Sequence, residues 1–134
     1  MRKISIHLLL LLILLTLGND LAFAQILNNN SVYRITSFYA NRSLGVSNSS
    51  IAQNADVVTY TSSGSNSQSW KAKYDSESGS YLFTNLGSDR NIYFFSLVEG
   101  VAAKQGLSFL PAANKWIIEA VNNPSYPNCY YISN

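Results

Sequence analysis

Histidine is almost missing from this sequence. The single copy, His7, lies in an N-terminal run that reads as a leader. The rest of the chain therefore has no imidazole, which excludes Ser-His-Asp and Cys-His nucleophilic catalysis and His-ligated metal sites. Cysteine is as scarce. Cys129 is alone, so it makes no internal disulfide, and it reads either as a thiol for a partner or as a small half-buried side chain. Charge is sparse too, at 12% of residues. With Arg2, Lys3 and Asp20 assigned to the leader, 7 basic and 6 acidic residues remain, a net charge of +1 with no basic stripe. That argues against a nucleic-acid partner. No cofactor or metal is expected.

A long apolar run is also lacking. Leu8 to Leu17 reads LLLLLILLTL, ten residues, where a spanning helix needs about 20. Arg2 and Lys3 precede the run, and Ala22-Phe23-Ala24 follows with small residues around a bulky one, the pattern of a signal-peptidase site. The reading is a signal peptide over residues 1–24, cleavage after Ala24, a secreted product without a membrane span, and one small domain over residues 25–134. No Cys directly follows the run, which argues against a lipid-anchored form.

No stretch after the leader sustains a 3.6-residue apolar period. Short period-2 alternation takes its place. Tyr33 and Ile35 alternate with Arg34 and Thr36, and Gln68, Trp70, Ala72 and Tyr74 alternate with Ser69, Lys71 and Lys73. Trp116, Ile118 and Ala120 alternate with Ile117 and Glu119. Polar clusters such as "SSGSNS", "DSESGS" and "NNPSYPN" separate these runs. This is the pattern of short strands, and nine tyrosines fit the same state. The chain reads as all-β.

It also repeats itself. "VYRITSFYANRSLGV" from Val32 resembles "SYLFTNLGSDRNIYF" from Ser80, pairing Tyr33 with Tyr81, Arg42 with Arg90 and Leu44 with Ile92. "SQSWKAKY" from Ser67 pairs with "ANKWIIEA" from Ala113, which matches Trp70 with Trp116. Repeats are thus expected at about 31–74 and 79–121. The closing "YYISN" from Tyr130 repeats "YRITS" and "YLFTN", so a partial third repeat is expected at about 128–134.

The Tyr33-x-Ile35 strand, the Arg42–Val46 stretch, Val57-x-x-Tyr60 and Gln68-Ser69-Trp70 resemble the ricin B-type lectin family. Unit two carries Asn114-Lys115-Trp116 in place of Q-x-W. The resemblance implies a β-trefoil, in which three four-stranded repeats form a six-stranded barrel capped by three hairpins. Here it covers two complete repeats plus the first strand of a third. It also implies carbohydrate binding, with an aromatic ring stacked on the sugar and polar groups around it. The family's sugar-gripping Asp follows the leucine of the second strand, and Gly45 and Tyr93 stand there instead. The family's aromatic platform falls on Tyr60, and in unit two Phe109 is the nearest aromatic. The amides before the tryptophan fall on Gln68, with Asn66 just ahead, and Asp56 is the carboxylate in the same loop. Tyr60, Asp56, Asn66 and Gln68 are therefore the candidate carbohydrate-binding residues.

Each has a plainer reading. Trp70, Trp116 and Gln68 suit the core, Asp56 and Asn66 suit turns, and Arg42 and Arg90 suit a repeated device that binds loop carbonyls. Asp75, Glu77, Asp89 and Glu99 show no spacing that marks a glycosidase pair. The expected function is a secreted, non-enzymatic lectin module. The alternatives are a structural or protein-recognition trefoil with decayed sugar sites, or a fragment of a larger secreted glycoside hydrolase. A barrel lacking part of one repeat leaves strand edges open, so self-association through the open edge is a further expectation.

Overall fold

The computed structural model describes residues 25–94, 102–107 and 114–134. The leader and Phe109 lie outside them. Among the described residues there are nine strands and no α-helix. Unit one runs β1 (Val32–Tyr33), β2 (Arg42–Val46), β3 (Val57–Thr61) and β4 (Trp70–Asp75). Unit two runs β5 (Ser80–Asn85), β6 (Asn91–Phe94), β7 (Ala103–Gly106) and β8 (Ile117–Ala120). β9 (Tyr130–Ser133) follows.

The pairing repeats with the sequence. β2 and β3 form an antiparallel hairpin with Leu44 opposite Thr59, and β6 and β7 form its counterpart with Ile92 opposite Gln105. β1 pairs with β4, with Tyr33 opposite Trp70, and Tyr81 of β5 bridges Trp116 in the same way. β4 pairs with β5 and β8 with β9, so β1, β4, β5, β8 and β9 follow one another around the wall. This is β-trefoil architecture, carried through two complete repeats and the opening strand of a third.

The alternation explains the core. On β4, Trp70 and Ala72 are buried and Lys71 and Lys73 exposed. The core gathers Trp70, Ala72, Phe83, Ile92, Trp116 and Ile118 with Val46 and Val57 beneath the first hairpin. Each tryptophan also carries a polar atom that needs an acceptor once buried. Trp70 Nε1 donates to Leu44 O at 3.0 Å, and Trp116 Nε1 to Ile92 O at 3.3 Å. Both indoles thus tie a barrel strand to the second strand of its own unit. No buried side-chain nitrogen or oxygen among the described residues lacks a partner.

Turns are fixed by short polar side chains. Asn85, 1% exposed, accepts from Gly87 N and Ser88 N and donates to Ser67 O. At the β4–β5 turn, Asp75 accepts from Ser78 Oγ at 2.7 Å, from Glu77 N and from Lys115 Nζ at 3.3 Å. The Ser78 hydrogen bond, helped by Lys115 and the Glu77 N–H, lowers the Asp75 carboxyl from 3.8 to about 2. A carboxylate with a depressed folded pKa stabilises the fold above its unfolded value and loses that contribution as pH falls toward the folded one. Denaturant midpoints taken between pH 4 and pH 2 should therefore fall less steeply in Asp75→Asn than in the unaltered chain; parallel curves would count against this turn's role.

Candidate functional site

The first hairpin, the turn after β2 and the turn before β4 enclose a shallow cup of about 350 Å³. β3 delivers Tyr60, opposite Ser43 on β2. After Val46 the chain enters a 3₁₀ turn, Ser47–Ser49, in which Asn48 and Ser49 adopt positive φ of 51° and 53°. Short polar residues tolerate this conformation best. The turn is held against Tyr60: Asn48 N donates to the phenolic oxygen at 3.2 Å, which donates onward to Ser47 Oγ at 3.5 Å. Those contacts, the Ser47 one first, lower the Tyr60 pKa.

The opposite rim is a chain of hydroxyls. Ser49 Oγ donates to Ser67 Oγ at 3.1 Å, and Ser65 and Ser67 hydroxyls lie 2.8 Å apart. Arg42 also lines the cup and donates Nη2 to Thr59 O at 2.6 Å. Gln68 forms part of the floor. It is 4% exposed, with Nε2 on Thr61 O and Oε1 accepting from Ser63 N. Gln68 is therefore a brace for the cup, and Tyr60 is the half-buried ring that it frames.

Of the four candidates, Tyr60 and Gln68 meet in the cup, whereas Asp56 and Asn66 do not line it. Asp56 precedes Tyr60 by four residues of extended chain, roughly 13 Å at the strand rise. There its carboxylate meets Lys104 Nζ at 2.6 Å, joining the two units. Asn66 opens the 3₁₀ turn Asn66–Gln68. With three residues per turn, positions two apart point to different sides, so Gln68 goes inward and Asn66 stays exposed. No carboxylate lines the cup.

Packing explains the missing carboxylate in unit one. A Cβ on Gly45 would stand 2.8 Å from Gln68 Cγ and 3.2 Å from Ser67 O. Gly45→Asp should therefore not fit the present packing. It should displace Gln68 and cost about 1–3 kcal/mol, as overpacking of a closed site does, measurable by urea denaturation. A variant as stable as the parent would contradict this packing.

Unit two differs. Ser43 on β2 faces Tyr60, and the matching Asn91 on β6 faces Gly106. The register thus puts a glycine, not an aromatic, at the platform position. The space is taken by Gln53 from unit one: a Cβ on Gly106 would lie 2.5 Å from Gln53 Nε2. Gln53 Oε1 accepts from Arg90 Nη1 at 3.0 Å and from Leu107 N at 3.1 Å. Arg90 Nε donates to Ile51 O at 2.7 Å. Both arginines therefore bind main-chain carbonyls, but only Arg90 reaches a loop, at Ile51 across the unit boundary, whereas Arg42 reaches Thr59 on strand β3 of its own unit.

Sequence reasoning missed Gln105, which is 0% exposed. Its Nε2 donates to Ser50 O at 2.7 Å and Ala52 O at 3.0 Å, and its Oε1 accepts from Ser88 Oγ. It anchors the loop that begins at the cup. A larger space of about 550 Å³ lies at the β4–β5 turn. There Asp75 and Lys115 are paired with one another, and Tyr81 is buried with its hydroxyl accepting from Ile26 N and Leu27 N. It offers less to a ligand than the Tyr60 cup.

No family model and no curated protein matches the sequence. Solved structures do match. The designed 3-fold symmetric protein ThreeFoil matches with a TM-score of 0.64 and 21% identity over 69% of this chain and 66% of that one. The exo-beta-1,3-galactanase 1,3Gal43A from Clostridium thermocellum gives 0.69 and 22%, over 82% of this chain and 23% of that one. The Rhizoctonia solani agglutinin gives 0.65 and 16%, over 81% and 71%. The chain thus spans just under two thirds of ThreeFoil and less than a quarter of the galactanase. At 16–22% identity these likenesses establish the fold, and the fold of this chain is the β-trefoil.

Proposed function

We propose that this chain is a secreted carbohydrate-binding module without catalytic activity, and that it holds one sugar in the Tyr60 cup of unit one. The observation that carries the reading is the cup itself: one half-buried aromatic ring, fixed through its hydroxyl, beside a rim of serine hydroxyls and an arginine. A pyranose presents an apolar C–H face for the ring and hydroxyls for the rim, and both partners are needed at once. Binding of this kind needs no metal. The likeness in fold to an agglutinin and to part of a galactanase supports a carbohydrate-directed role. The leader-like segment over residues 1–24 supports secretion.

Among its described residues, unit two offers no second cup in this reading, because Gln53 fills the space and Gly106 stands opposite Asn91. The test is a glycan-array screen of the chain beside Tyr60→Ala and Tyr60→Phe. Tyr60→Ala should lose about tenfold or more in affinity, the equivalent of 1.4 kcal/mol. Tyr60→Phe keeps the ring and frees the Asn48 turn, so it should lose less. Folded protein that binds no glycan would instead support the structural or protein-recognition role, which the carboxylate-free cup and the tight packing over Gly45 also fit.

A further inference from the structure

A sugar hydroxyl is held most firmly by a carboxylate, which accepts its proton. Among the described residues no carboxylate lines the Tyr60 cup. Asp56, the acidic residue nearest to Tyr60 in sequence, is paired with Lys104 outside it. The one charged residue that lines the cup is Arg42. A guanidinium has five N–H donors, and one of them, on Nη2, goes to Thr59 O at 2.6 Å. That acceptor is a neutral carbonyl. The ion pairs among the described residues are Lys104 with Asp56 and Lys115 with Asp75, so no carboxylate of the fold offsets the Arg42 charge. Neighbouring groups also have donors to spare. Tyr60 gives its proton to Ser47, and Ser49 gives its own to Ser67. Asn48 Nδ2, Thr61 Oγ1 and Ser63 Oγ each carry a proton with no protein acceptor among the described residues.

We infer that the sugar this cup takes is an acidic one: a pyranose carrying a carboxylate or a sulfate, with its apolar face on Tyr60 and its anionic group toward Arg42. The inference rests on the carbohydrate reading of the cup. The polarity of the usual grip is reversed. The ligand supplies the strong acceptor that the protein lacks, and the protein supplies the donors. A charge-assisted N–H···O⁻ bond is about twice as strong as a neutral one, and the rigid fork of an arginine suits an oxyanion better than a single hydroxyl. The packing at Gly45 keeps the cup this way. Gln68 Cγ stands 2.8 Å from where a Cβ would be, so a side-chain carboxylate has no room there to compete with the ligand for Arg42.

The probe is a set of glycans in matched triplets: a neutral pyranoside, its uronate and its sulfate ester, in the gluco, galacto and manno series. They are presented to the full chain on one array, and the strongest triplet is titrated by calorimetry. At least one acidic member should bind about tenfold or more tighter than its neutral parent, and which one it is separates carboxylate from sulfate. The preference should shrink as sodium chloride rises from about 0.05 to about 0.5 M, because Arg42 is exposed and its field is screened. Arg42→Gln keeps a donor for Thr59 O and should lose the preference, while still binding the neutral parent through Tyr60. Arg42→Lys keeps the charge without the fork and should retain part of it. Thermal melting checks that both variants fold, and the comparison of ligands on the unaltered chain needs neither. Neutral glycans that bind as tightly as acidic ones, and are lost in Tyr60→Ala, overturn this inference and leave the carbohydrate reading standing. An acidic preference unchanged in folded Arg42→Gln also overturns it. Folded protein that binds none of the glycans overturns both.

Discussion

Trp70→Ala should destabilise the chain by about 3–5 kcal/mol, the usual range for removing a large buried aromatic. The side chain is 0% exposed and sits where β1, β4 and the first hairpin meet. A domain of this size has a total stability of roughly 5–15 kcal/mol, so the variant should lose a large share of it and unfold at a much lower denaturant concentration than the parent. Two losses combine: the packed ring, and the Nε1 donor to Leu44 O. Trp70→Phe separates them. It keeps most of the ring and leaves the Leu44 carbonyl without its indole partner, at a cost of about 1–3 kcal/mol. Guanidinium denaturation followed by far-UV circular dichroism gives both values. A loss below about 1 kcal/mol for the alanine variant would mean the hairpin does not depend on this indole.

Gln105→Leu should cost roughly 2–5 kcal/mol although leucine is of similar size. The buried side chain loses its bonds to Ser50 O, Ala52 O and Ser88 Oγ, of which Ala52 O keeps Ala55 N and Ser88 Oγ keeps Asn85 Oδ1. A buried group left without a partner costs about 1–3 kcal/mol, and the loop's freedom to shift reduces the sum. The effect should also be local. Asn54 N bonds to Gln105 O and Gln105 N to Ala55 O, so these amides should lose exchange protection before those of β4 and β5. If the loss is spread evenly over the chain, the anchor reading is wrong.

The fold was legible because its strongest signals are periodic. The alternation around Trp70 and Trp116 marked two barrel strands, and the matches Tyr33–Tyr81 and Leu44–Ile92 marked the repeat. Both are local patterns that strand geometry writes directly into sequence. The site was only half legible. Tyr60 and Gln68 meet in the cup, because β3 and the turn before β4 close on one another. Asp56 and Asn66 look equally near in sequence, yet extended chain carries the first away and turn geometry points the second outward. Gln105 was hidden by the repeat itself. By register its counterpart is Thr59, which is exposed. Equal places in the two repeats differ here, because the loop from unit one packs onto unit two, and among the described residues no counterpart packs so on unit one.

The anchoring side chains share one habit: Gln105, Arg90, Arg42, Gln68 and both tryptophans donate to main-chain carbonyls. Every residue type supplies a carbonyl. The loop from Asn48 to Asn54 is thus gripped largely by its backbone, and most of its side chains are not what the grip recognises. Such a loop is free to change its outward residues while the scaffold stays put. Libraries that vary the exposed Ile51 and Ala52 but keep Gln53 and the positive-φ Asn48 and Ser49 should yield mostly folded proteins, which makes this rim a natural place for new specificities to arise, by drift or by selection in the laboratory.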